Sequence, residues 1–222
     1  YTGSFWALLN PFALLCGVVS ICMTVFHGAN YLLLRTTGDL QARARKVGMI
    51  AGALTLVLFA LGGLWVYFGV AGYVASNLDP AGVANPLTKT VVVQEGAWFS
   101  NVNQYPALYL VPALAILAAG LGALSQYVWK PLTAVVSSGV SILCIVLTPL
   151  IAMFPFVLPS SSHPVSSLTM WDCTSSQLTL QVMFIVTLIF LPLVLIYTDW
   201  AYKVMSGKLT PQYIKENDKT LY

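Results

Sequence analysis

From Tyr1 to Leu34 the chain carries no Asp, Glu, Lys or Arg, and four further stretches of the same kind follow. A charged side chain at a bilayer centre costs about 2.5–3.5 kcal/mol on insertion scales, so uncharged apolar runs of about 20 residues read as membrane spans. With 58% hydrophobic and 8% charged residues over 222 positions, a water-soluble fold is excluded. The predicted spans are 11–34, 47–74, 106–128, 132–157 and 177–197. At 1.5 Å per residue the first is about 36 Å long, enough to cross a hydrocarbon core of about 30 Å with some tilt. A transmembrane barrel needs polar–apolar alternation over about ten residues at a time, and the chain has none. The reading is an all-α integral membrane protein, a bundle of five transmembrane helices forming one membrane domain over 1–222.

The few charges set an orientation. Arg35, Arg43, Arg45 and Lys46 fill the first gap, Lys130 the third, and Lys203, Lys208, Lys215 and Lys219 the tail. The second and fourth gaps hold only Lys89 among their basic residues. Basic loops stay on the cytoplasmic side, so the N-terminus is expected outside and the C-terminus in the cytoplasm. The net charge of +3 follows from those loops and gives no reason to invoke nucleic acid. The chain starts at Tyr, outside, with no Met and no signal-peptide pattern, which leads us to expect a longer subunit with further helices upstream.

Local signals divide the chain further. Asn10 suits a helix cap and Pro11 the first helical position. Gly48 and Gly52, four residues apart, allow close helix approach in lipid. The outer loop near Asp79-Pro80 and Asn85-Pro86 is too long for a simple turn, and Lys89 and Glu95 in it read as solvated. Trp129-Lys130-Pro131 makes a tight hairpin between the third and fourth helices. Pro149 and Pro192 are expected to kink their helices. Thr174 to Gln177 reads as a capping box for the fifth helix.

Ionisable residues within a span are the first functional candidates in a membrane protein, and His27 is the one clearly inside. It admits structural hydrogen bonding, a proton or polar relay, or haem ligation, which needs a single imidazole. Its neighbours Gly28, Ala29 and Asn30 favour packing. Arg35 reads as a topology anchor, with an anionic lipid or a partner as the alternative. Trp171 and Asp172 in the second outer loop, with Gln177 beyond them, are candidates for loop or partner contacts, and Asp172 also for capping the last helix. Asp199 and Lys203 are spaced for an i,i+4 pair. Ser137, Ser138 and Ser141 are expected to bond backbone or neighbouring helices. Cys16, Cys22 and Cys144 lie in spans and Cys173 in an outer loop, with no C-x-x-C spacing. No nucleotide loop, HExxH motif or nucleophile–base arrangement is present, so no catalytic, cofactor-binding or metal-ligating residue is assigned.

Ordered motifs carry a resemblance. Asn10-Pro11-Phe12, His27-Gly28-Ala29-Asn30-Tyr31-Leu32, Leu34-Arg35-Thr36, Gly63-Leu64-Trp65-Val66 and Gly72-Tyr73-Val74 come first. Ala152-Met153-Phe154-Pro155-Phe156-Val157 and Pro159-Ser160-Ser161 follow. The most specific stretch is Ser167-Leu168-Thr169-Met170-Trp171-Asp172-Cys173-Thr174-Ser175-Ser176-Gln177-Leu178-Thr179-Leu180, and Leu221-Tyr222 closes the set. Together they resemble subunit II of the cytochrome bd-type quinol oxidases, over the C-terminal part of that subunit. The resemblance implies a bacterial inner-membrane complex that oxidises quinol and reduces dioxygen to water. It places haem b and haem d on a partner, the haem-bearing subunit I, with lipid, quinone and a small accessory subunit as further neighbours. This chain's part would be that of a scaffold. A fragment of a secondary transporter is the alternative, supported by the interrupting prolines but lacking midplane coupling acids or bases. A membrane thiol enzyme using Cys173 is the weakest reading.

Overall fold

The computed structural model describes residues 4–80, 82, 84–204 and 206–216. Tyr1, Lys219 and the closing Leu221-Tyr222 motif lie outside them. The elements are α1 (Phe5–Leu8), α2 (Pro11–Arg35), α3 (Asp39–Gly69), β1 (Gly72–Ser76), β2 (Thr90–Gln94), α4 (Ser100–Gln104), α5 (Leu110–Tyr127), α6 (Pro131–Met153), β3 (Phe156–Leu158), β4 (Leu168–Thr169), α7 (Gln177–Val204) and α8 (Pro211–Glu216). Five helical stretches are long and apolar enough to cross a membrane, the third being Pro106–Tyr127, where a 3-10 turn leads into α5. The chain is thus largely helical and multi-pass. Where hydropathy gives one membrane domain, the contacts group the residues into two compact units.

The first unit takes in the described residues up to Gly72, then Glu95–Met153 and those from Lys208 onward. Here α2, α3, α5 and α6 pack in a ring, each against two neighbours. Asn10 caps α2 by accepting from the Ala13 N–H at 2.8 Å, with Pro11 in the first position, as expected. The core is built from small residues, among them Ala51, Ala115, Ala119 and Ala134, because lipid gives helices no hydrophobic reason to associate and close backbone packing must do so. Phe26, fully buried, fills the space left by two glycines. A Cβ on Gly52 would stand 2.7 Å from its ring, and one on Gly122 2.6 Å. Gly48 leaves the same kind of room for Gln126.

Several helix ends differ from expectation, α7 among them, which runs to Val204 rather than 197. Helix α3 begins at Asp39, well before the anticipated residue 47. Gly38, at φ 72°, makes the turn, Asp39 suits the first helical turn, and Leu40 through Lys46 are good helix formers. A hydropathy window sees the charges of this stretch as a gap, whereas the backbone stays helical. At the other end α3 stops at Gly69 rather than 74, and α6 stops at Met153 rather than 157, because extended strands begin at Gly72 and Phe156. Helices α6 and α7 both continue through their internal prolines. Past α3 the chain folds back over itself. The Trp98 Nε1–H donates to the Ala71 carbonyl at 3.1 Å, and Gly72 has no Cβ to strike the Trp98 backbone.

The second unit is the described part of Tyr73–Gln94 and Phe154–Gly207. It holds two small sheets, β1 with β2 and β3 antiparallel to β4, in which Phe156 faces Thr169 and Leu158 faces Leu168. The chain is mostly helical, and these loops add short strands to it: Thr90-Val91-Val92-Val93 is a β-branched run that suits extended backbone. Helix α7 has no buried residue. Its cap is Ser176, whose Oγ accepts from the Thr179 N–H at 3.4 Å, so Gln177 is the first helical residue and the anticipated capping box is displaced.

Candidate functional sites: a polar layer in the bundle and a clasp between outer loops

Polar side chains from three helices meet inside the bundle of the first unit. The His27 Nδ1 atom lies 2.8 Å from Ser138 Oγ, joining α2 to α6. Ser138 Oγ also lies 2.9 Å from the Val135 carbonyl of its own helix. One turn further along α2, fully buried Asn30 donates to the Ala134 carbonyl at 3.1 Å and accepts from Gln126 Nε2 of α5. Gln126 is fully buried as well. Its backbone carbonyl accepts from Arg45 Nε at 2.8 Å, and Arg45 Nη2 reaches the Tyr127 carbonyl at 2.7 Å. Ser141 donates across to the Ala115 carbonyl at 2.9 Å. The three serines bond backbone and neighbouring helices as expected.

The arrangement is two short networks. His27 connects to Ser138, while Asn30 connects to Gln126 and the α6 backbone; amide groups do not titrate, so the Asn30 branch holds helices together without moving a proton. Of the residues singled out from sequence, His27 and Asn30 fall in this layer. Arg35 lies at the end of α2, its guanidinium 5.5 Å from the Tyr31 ring centre. Gln126 and Arg45 were missed as site residues. Gln126 announces itself only as an uncharged amide at the end of a long apolar run, and Arg45 was counted as a loop charge.

In the second unit, Lys89 and Asp172 form a buried ion pair, Nζ to Oδ2 at 2.6 Å, with side chains 2% and 7% exposed. Lys89 is therefore not solvated. Its Nζ also donates to the Pro86 carbonyl at 2.9 Å, and Asp172 Oδ1 accepts from the Thr169 N–H at 2.6 Å. Burial pushes the Asp172 carboxyl up, but Lys89 and Thr169 outweigh it and hold the group below its ordinary range. Asp172 is a clasp between the loop that carries Lys89 and the loop that precedes α7, and does not cap α7. Beside it, half-buried Trp171 meets the Phe154 ring edge-on at 5.8 Å. A cleft of about 460 Å³ opens there, bordered by Asn77, Asp79, Asn85, Lys89, Trp171 and Asp172. Gln177 stands exposed at the start of α7. Asp199 and Lys203 pair on the surface at 2.6 Å.

No group of three or more His, Cys, Asp or Glu with metal-binding geometry occurs among the described residues. Residues 1–205 match the family described as cytochrome bd terminal oxidase subunit II. Over 223 aligned residues and its entire length, the chain is 48% identical to the cytochrome bd-I ubiquinol oxidase subunit 2 of Escherichia coli K12, of which it covers 59%. It is 46% identical to the probable cytochrome oxidase subunit 2 of Haemophilus influenzae, again covering 59%. Against the cytochrome bd ubiquinol oxidase subunit 2 of Bacillus subtilis the identity is 26% over 91% of this chain and 52% of the relative. The chain thus spans somewhat over half the length of these relatives, and the transporter alternative finds no support among them. A chain with five helices long and apolar enough to cross a membrane, matched by the family over residues 1–205, belongs to the cytochrome bd terminal oxidase subunit II family.

Proposed function

We propose that the chain serves, as part of subunit II, in a bacterial inner-membrane complex that oxidises quinol and reduces dioxygen to water. The observation carrying this reading is the family match over residues 1–205 together with 48% identity over the full chain. Its partner is a larger subunit I that holds haem b and haem d, with membrane lipid, quinone and a small accessory subunit around them. The N-terminus faces the periplasm and the C-terminus the cytoplasm, as the basic gaps require.

His27 is the imidazole within a span, its Nδ1 is engaged by Ser138, and its ring lies along α6 beside Gly139. The reading gives it a packing role and assigns no catalytic group to this chain. His27 and Asn30 lock helix to helix, so that an apolar, water-excluding wall of fixed shape stands beside the redox subunit. The Lys89–Asp172 clasp gives the outer loops a rigid face. Electron transfer and oxygen chemistry proceed best in such a dry, low-dielectric surround.

The test is purification of the tagged chain, expressed with its neighbouring genes, from membranes. A larger chain should copurify, show reduced-minus-oxidised haem spectra and consume oxygen on addition of a quinol. A colourless preparation without quinol oxidase activity would overturn the assignment.

A further inference from the structure

Arg35 is the last residue of α2, at the membrane boundary of the first unit. Its Nε is shut away from solvent and meets no acceptor, and no carboxylate lies within 4.0 Å among the described residues. A guanidinium cannot shed its charge, and among the described residues this half-buried group has no counter-charge, so its open side can take an anion. The tail brings a second cation to the same place. The Leu209 N–H donates to the Arg35 carbonyl at 2.8 Å, Leu209 pairs with Thr36 in a parallel bridge, and Thr37 Oγ1 donates to the Leu209 carbonyl at 3.4 Å. Lys208 is thereby anchored one residue from the end of α2, with its own side chain exposed.

The surroundings are those of a headgroup boundary. Leu32, Leu209, Tyr213 and Ile214 are each between 41% and 49% exposed, so the segments that carry the two cations also present open apolar side chains. Neighbouring Tyr31 supplies an aromatic face under the guanidinium. Exposed apolar and aromatic side chains beside Lys and Arg at the end of a span are what an interfacial lipid contact requires.

We propose that Arg35 and Lys208 form a binding site for the phosphate of an anionic phospholipid headgroup, the acyl chains lying along Leu32 at the end of α2. The guanidinium offers its outward Nη donors to phosphate oxygens, a geometry in which Arg surpasses Lys. Lys208 adds a second charge, and closing the site helps hold the tail against α2. The site is independent of any redox role.

The test uses the intact chain, purified from membranes with the subunits that accompany it, stripped of lipid and titrated in mixed micelles. Phosphatidylglycerol should bind and phosphatidylcholine should not. Arg35→Gln and Lys208→Gln should each weaken phosphatidylglycerol binding about fivefold, the equivalent of about 1 kcal/mol per basic residue at an anionic surface. Lys203→Gln, already paired with Asp199, should leave it unchanged. Lys208→Gln alters an exposed tail residue and keeps the test readable where Arg35→Gln fails to assemble. Equal binding by wild type and Lys208→Gln would overturn the site. Competition by millimolar inorganic phosphate would overturn the lipid as its source in favour of a soluble anion.

Discussion

At the scale of single residues, the bundle is governed by where a Cβ is forbidden. Gly52 and Gly122 face the Phe26 ring, whereas Gly17, Gly28 and Gly63 have open space around their missing side chains. Gly52→Ala should therefore lose about 1–3 kcal/mol by overpacking, while Gly63→Ala should be neutral or gain up to about 1 kcal/mol in helix propensity. Unfolding in mixed detergent micelles separates the two. The His27–Ser138 bond gives a second residue-scale prediction. His27→Ala and Ser138→Ala should each reduce the amount of assembled complex by about 0.6–2 kcal/mol equivalent, with turnover per haem unchanged. Normal assembly with lost proton uptake would instead make His27 a relay. His27 and Asn30 were legible because polar groups stand out in an uncharged run. The burial of Lys89 was not, because it depends on a carboxylate far along the chain that no local pattern reveals.

At the scale of elements, the end of α5 is finished by a residue from α3. Trp129 takes φ 57°, a conformation that favours glycine, while the Lys130 N–H closes back on the Ser125 carbonyl at 2.8 Å. Arg45 lies 4.4 Å from the Trp129 ring centre and bonds the last two carbonyls of α5. Arg45→Lys should not substitute, since one ammonium lacks the planar fork that spans both carbonyls. Hydrogen-exchange protection over residues 125–131 should fall in both Arg45→Lys and Arg45→Ala. The helical span of α3 was only half legible in sequence: hydropathy marks its buried part, but the charged first turns look like loop until Gly38 and the good helix formers after Asp39 are weighed. The loop strands were likewise hidden: the first residues of β1 and β3 were read as the ends of the second and fourth spans, and β2 and β4 within undivided loops.

The loop clasp carries a pH prediction at the same scale. The Asp172 carboxyl is held below its ordinary range, so its contribution is fully present above the unfolded value near 4 and is lost as pH falls through the lower folded value. Protection of the Thr169 amide should thus stay constant from pH 8 to about 5 and fall only under more acid conditions. Lys89→Met should cost the loops about 3–5 kcal/mol by stranding the carboxylate. Adding Asp172→Leu should restore much of that, because two apolar side chains replace the pair without an orphaned charge.

At the scale of the whole molecule, five spans alternate the faces on which successive connections emerge. Cys173 is exposed in the loop before α7, which the basic gaps put outside, while Cys16, Cys22 and Cys144 lie within helices. An impermeant maleimide applied to intact spheroplasts should label Cys173 strongly and a cysteine introduced at Arg43 not at all. Labelling in the reverse order would invert the topology. The spans were the most legible part of the chain, because the cost of charge in hydrocarbon acts on composition directly and needs no partner.

The amide contact between Asn30 and Gln126 also bears on the order of biogenesis. These residues are 96 apart, and His27 is 111 from Ser138. A ribosome working at about 5–20 residues per second makes the second hairpin roughly 5–20 seconds after the first. For that interval α2 stands in the bilayer with its amide and imidazole unanswered. A nascent chain stalled before Gln126 would leave an insertion intermediate with sticky polar groups, ready to be held by the translocon or to pair with the wrong helix.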